Sequence, residues 1–116
     1  MKLSEALAQR REITRAHSRL ITSRREIVIA AIGPIKAALR DHDSMQDLGV
    51  SDLPHDEFAC RVSVTGEYGP VTAEVRSSNP QIISVKRKAW DVPKDCKSVT
   101  EAVQHIAALM LEARPK

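Results

Sequence analysis

The chain reads as a single α+β domain. Three observations predict that class: a long amphipathic segment at the N-terminus, three short runs of alternating apolar and polar residues in the middle, and a second amphipathic segment with a clear start signal at the end. With 116 residues, of which 42% are hydrophobic, the chain is long enough for one modest core. Phe58, Tyr68 and Trp90 are its only aromatics, so that core must be aliphatic.

The first element is a basic helix spanning most of residues 1–40. Ser4 is a candidate N-cap, and Glu5 suits the positive end of the helix dipole. Ala6, Ile13, Leu20 and Ile27 recur every seven residues and fall within a narrow arc at 100° per residue. Ile13, Leu20 and Ile27 are therefore the expected core contacts of this helix. Ala16, Ser23 and Ala30 flank the line on one side, and Arg10, His17 and Arg24 flank it on the other. Arg11, Arg15 and Arg19 stand on the far face near Arg25, where solvent is expected. Gly33-Pro34 predicts a kink or restart, because proline lacks an N–H and crowds the carbonyl four residues back.

Residues 41–57 hold six acids and no Lys or Arg, and read as a polar connector punctuated by Gly49 and Pro54. Three strands follow, expected as an antiparallel meander. Phe58, Cys60, Val62 and Val64 alternate with Ala59, Arg61, Ser63 and Thr65; Val71, Ala73 and Val75, and then Ile83 and Val85, alternate with polar neighbours. The stretches "TGEYGP" and "SSNP" between them are turn signals. The closing helix opens at Ser98 and Glu101, a capping box, and presents Val99, Val103, Ile106, Ala107 and Met110 to the apolar side of the sheet, with Pro115 past its end. The chain thus divides into a basic helical segment (1–40), an acidic connector (41–57) and a βββα portion (58–116) of one domain.

The order helix–three strands–helix resembles that of the double-stranded RNA-binding domain. The resemblance is one of order alone: where that family opens its last helix with a Gly- and Lys-rich loop, this chain has "VPKDCKSVTEA", with Lys94 and Lys97 its only cations. The chain is not assigned to that family.

A net charge of +3 conceals a segregated layout. Residues 1–40 carry nine Lys/Arg against three acids, and the next seventeen residues reverse the sign. Such blocks create local fields suited to charged partners, unless the acidic block neutralises the basic one within the molecule. The open sheet face is expected to show Arg61, Arg76, Lys86 and Lys88 against Glu74, with Trp90 close by, a cationic surface with one stacking platform. The run "VKRKAW" has the composition of a nucleic-acid patch.

Catalytic patterns are weak. The clusters Asp41-His42-Asp43 and His55-Asp56-Glu57 have metal-ligand chemistry but lie in the connector, where such residues are ordinary; no metal or cofactor is expected. Cys60 reads as a small buried hydrophobe. Cys96, beside Lys94 and Lys97 near a helix start, has a setting that can lower a thiol pKa. No phosphate-binding loop, dinucleotide fingerprint or zinc-protease motif occurs, and no enzyme activity is expected. Met1–Arg11 lacks an apolar core of signal-peptide length, so a cytoplasmic protein with reduced thiols is expected, and no membrane partner.

Two functions follow from these residues. The first is a small nucleic-acid-binding accessory protein gripping phosphates through Arg11, Arg15, Arg19, Arg25, Arg61, Arg76, Lys86, Lys88 and Trp90. The alternative is a protein-binding module, such as an adaptor, inhibitor or assembly component. It would act through the Ile13/Leu20/Ile27 seam with Arg10, His17 and Arg24, possible also as a homodimer seam, or through the acidic segment.

Overall fold

A computed structural model describes residues 1–87 and 92–112. It comprises helix α1 (Leu3–Leu39), strands β1 (Gln46–Leu53), β2 (Glu57–Gly66), β3 (Gly69–Arg76), β4 (Asn79–Lys86) and β5 (Lys94–Cys96), and helix α2 (Val99–Leu111). The strands form one antiparallel sheet in the order β1-β2-β3-β4-β5. Both helices cover the same face. The α+β class and the antiparallel meander are as expected, but the sheet has five strands rather than three.

The three expected strands lie where alternation put them. Phe58, Cys60, Val62 and Val64 of β2, Val71, Ala73 and Val75 of β3, and Ile83 and Val85 of β4 all point into the core. Their turns are tight: Gly66 pairs with Gly69 and Arg76 with Asn79.

The two additional strands lie at the edges. β1 occupies the segment expected to be a connector. Its sequence QDLGVSDL lacks strong alternation, and none of its residues is fully buried. Pairing with β2 rather than intrinsic preference makes it a strand. A bulge shifts the register between Asp47 and Gly49, leaving Leu48 unpaired, and Gly49 there adopts φ 73°. The β1–β2 turn places His55 and Asp56 in the left-handed region, with φ 64° and 56°. β5 is three residues long and ends the sheet at Cys96.

α1 departs from expectation in three ways. It starts at Leu3, with Lys2 at the cap position and no side-chain cap bond, so Ser4 lies inside the first turn. It also continues through Pro34 as one helix, without the restart that Gly33-Pro34 allowed. The N–H that proline lacks would have bonded the carbonyl of Ala30, and both residues are exposed, so water can satisfy that oxygen.

The third departure is the buried face. Val28, Ile32, Ile35 and Leu39 enter the core, whereas Ile13, Leu20 and Ile27 remain 60%, 45% and 41% exposed. The sheet meets the helix about one residue further round than the heptad line, and only its C-terminal half. From Leu7 through Leu20 every residue is exposed, and Ile21 is where packing against the core begins.

The shape records this. A helix of 37 residues is about 55 Å long. The molecule measures 67 × 27 × 21 Å, and its radius of gyration of 18.5 Å exceeds the roughly 13 Å of a compact chain this size. The N-terminal half of α1 is an arm projecting from the body.

α2 has the expected start. Ser98 Oγ accepts from the Glu101 N–H at 3.1 Å, and the Glu101 carboxylate accepts from the Lys97 N–H at 3.1 Å. Its buried face is Ala102, Ile106 and Leu109; Val99, Val103 and Met110 are partly buried against the core, and Ala107 faces outward. The end of α2 sits hard against the β2–β3 turn. The Glu67 N–H donates to Met110 O at 3.0 Å, and a Cβ at Gly66 would stand 2.5 Å from Met110 Cα. Pro115 lies outside the described residues.

Candidate nucleic-acid interface

The helix separates its charges by position. Along the arm, Arg10, Arg11, Arg15 and Arg19 are exposed and form no ion pair among the described residues. Leu7, Arg10, Arg11, Thr14 and Arg15 share one continuous surface. The Thr14 hydroxyl donates back to Arg10 O at 2.9 Å, so it does not compete for the guanidinium groups.

Along the packed half, the acids of residues 41–57 meet the helix. Lys36 Nζ lies 2.5 Å from Asp47 Oδ2, and Arg25 lies 3.8 Å from Asp52. His17 is 3.9 Å from Asp56, and Arg24 donates to the Asp56 backbone oxygen at 3.1 Å. The hydrogen bond from Lys36, joined by one from the Gly49 N–H, holds the Asp47 carboxyl below its usual pKa. The Arg25 guanidinium also sits 5.7 Å over the Phe58 ring. β1 runs beside this half of α1, so its acids reach Lys36 and Arg25, while the β1–β2 turn reaches Arg24 and His17. Intramolecular neutralisation therefore extends about as far as the sheet does.

The open sheet face is also partly neutralised. Glu74, on the central strand β3, accepts from Arg61 Nε at 2.5 Å through one oxygen and from Arg76 Nε at 2.6 Å through the other. Arg61 is placed by its register opposite Glu74, and a further bond to Ser51 Oγ at 3.2 Å holds it flat on the sheet. Burial alone would raise the Glu74 pKa, but the bonds from Arg76 and Arg61 outweigh it and the net shift is downward. The pairing raises the Arg76 pKa in turn. Lys86 forms no ion pair among the described residues. Two adjoining grooves of about 300 and 340 Å³ share Glu74, Arg76, Ser84 and Pro93 on this face. Lys88 and Trp90 lie outside the described residues.

Arg87, the central cation of "VKRKAW", is buried rather than solvent-facing. Its guanidinium donates to Leu109 O at 3.1 Å and Glu112 O at 2.5 Å, closing the C-terminal end of α2, and lies 5.8 Å over the Tyr68 ring. Composition could not distinguish this cation from its neighbours. Its place just past β4, in phase with the core-facing Ile83 and Val85, was the available signal.

The cysteines are both free and buried, and burial raises the pKa of each. For Cys96 this reverses the expected lowering: desolvation and Glu101 outweigh Lys94. Burial, aided by Lys94, lowers the His105 pKa. Among the described residues no group of three or more His, Cys, Asp or Glu is placed to hold a metal ion, and no helix is long and apolar enough to cross a membrane. His42 Nδ1 is engaged with Ser44 Oγ at 2.7 Å.

No protein-family model, curated protein or solved structure matches the chain.

Proposed function

We propose that this protein binds nucleic acid through the projecting arm of α1, with Arg10, Arg11, Arg15 and Arg19 contacting phosphates. The observation that carries this reading is the split in the charge layout. The intramolecular acids reach the packed half of the helix, while the arm's arginines stand exposed beyond them. A helical arm with exposed guanidinium groups can lie along a phosphate backbone without first breaking internal pairs. The sheet has a secondary part, because Glu74 already engages Arg61 and Arg76. Phosphate contacts dominate such an interface, so sequence specificity is expected to be low.

The test is fluorescence anisotropy with mixed-sequence duplex and single-stranded probes over a salt series. Four phosphate contacts per helix predict a slope of log K against log salt of about −3.6 on duplex. Replacing the four arginines by glutamine should abolish that slope and most of the affinity. Absence of binding at low salt, or a quadruple variant that binds like the parent, would overturn the proposal.

A further inference from the structure

The outer side of α1, along the arm and on to Ile27, also carries an apolar stripe that the body leaves uncovered. Ile13, Leu20 and Ile27 are each more than 40% exposed, in line with Ala6. Residues 3–20 of the helix lack the tertiary packing that supplies most helical stability in proteins. Leu3 and Leu7 are exposed off this row, and exposing Ile13, Leu20 and Ile27 along it adds no stability unless something covers them. Arg11 and Arg15 do not serve that stripe, since they lie about 160° around the helix from Ile13.

We propose that the stripe is covered by a second copy of this chain in a parallel two-stranded coiled coil formed by the arms. Ala6, Ile13, Leu20 and Ile27 occupy one core column. Gln9, Ala16, Ser23 and Ala30 occupy the other, and three of those four are small enough for close approach.

Charge identifies the occupant and its direction. In a parallel pair, the residue before each first-column position faces a residue five further along the second helix. Glu5 then meets Arg10 of the second copy, twice by symmetry, while Glu12 falls opposite its His17, which in each chain already faces Asp56 at 3.9 Å. The next such pair, Arg19 with Arg24, joins like charges, but Arg24 is turned back to the Asp56 carbonyl. An antiparallel pair centred on Ile13 and Leu20 would instead set Glu5 against Glu26 and Arg10 against Arg24, with Glu12 against Arg19 its one favourable pairing. In the parallel dimer Arg10 is held at the seam and is no longer free for phosphate, whereas Arg11 and Arg15 of both copies face outward. The inference does not require that they bind nucleic acid.

The test is sedimentation velocity of the full chain without nucleic acid, at several concentrations. A concentration-dependent shift toward twice the 12.8 kDa chain mass is expected. Leu20→Glu should raise the midpoint concentration by about 100-fold or more, because it places two carboxylates in an apolar seam. Its far-UV circular dichroism and thermal transition report whether the body still folds. Gln9→Cys should form an intermolecular disulfide on mild oxidation, since parallel helices juxtapose equal positions; Cys60 and Cys96 are buried and stay out of that reaction. Double Arg11→Gln/Arg15→Gln should dimerise like the parent. A monomer at all concentrations would overturn the proposal. So would a dimer indifferent to Leu20→Glu, or a dimer in which Gln9→Cys does not cross-link.

Discussion

Ile32 and Ile13 belong to the same helix and the same residue type, yet Ile32 is 1% exposed and Ile13 is 60% exposed. Around Ile32, the sheet and α2 supply apolar neighbours, and β1 supplies carboxylates to the basic residues alongside. Around Ile13 there is only the helix. Burial of each large apolar side chain in the packed half contributes roughly 2 kcal/mol, a gain the arm does not collect within the monomer. The cations differ in the same way. Exposed pairs such as Arg25 with Asp52 add little stability, about 0–1 kcal/mol, but they reduce the field that the packed half presents to a partner. Packing and charge neutralisation thus follow one boundary near Ile21, which leaves the arm both apolar and cationic.

The contrast breaks most sharply by truncation. Ile32→Ala should cost about 4 kcal/mol of unfolding free energy by denaturant titration. Ile13→Ala should change the monomer's stability by no more than about 0.5 kcal/mol in the same measurement. Equal costs would mean the arm is packed after all.

Gly66→Ala probes the packed region from its other side. The added methyl meets the α2 backbone at Met110, which cannot swing away, so a loss of about 3 kcal/mol is expected in thermal or chemical unfolding.

Glu74→Gln should cost about 2 kcal/mol by removing charge-assisted bonds to Arg61 and Arg76. It should also release two cations and bring the sheet face closer to the arm in character, visible as a steeper salt dependence of nucleic-acid binding. The pH dependence has a definite sign. The folded-state pKa of Glu74 lies below its ordinary 4.5, so its stabilisation is full above that value and is lost as pH falls through the folded value. The variant should lack that acid-side loss. What remains should begin nearer pH 6.5, where partly buried His105 resists charging.

The smallest effect lies near the C-terminal end of α1. A Cβ at Gly33 meets nothing within 4 Å, so Gly33→Ala should stabilise the helix by up to about 1 kcal/mol, read as a higher thermal midpoint.

Much of the body is written locally. Alternation located β2, β3 and β4 and their inward residues, because side chains on a strand reverse face at every step. The Ser98–Glu101 box located the start of α2, because capping is satisfied within one turn. β1 was not visible in this way: its acids and Gly49 suit a loop, and it becomes a strand by pairing with the edge of β2. The seven-residue line in α1 was legible as an apolar stripe but not as a surface without a covering in the monomer. Likewise the cationic candidates were legible one by one, but not their division into the paired Arg61, Arg76 and Arg25 and the unpaired arm.

By itself, then, the sequence determined the α+β class, the central strands, the capped closing helix and the segregation of charge into blocks. Each of these depends on neighbours within a few residues or on composition. Only the tertiary structure decided which side of α1 meets the sheet, how far along the helix that contact runs, and which carboxylates reach which cations. The reason is geometric: one step along a helix turns a side chain by 100°, so a register set by distant strands decides whether an isoleucine is core or surface.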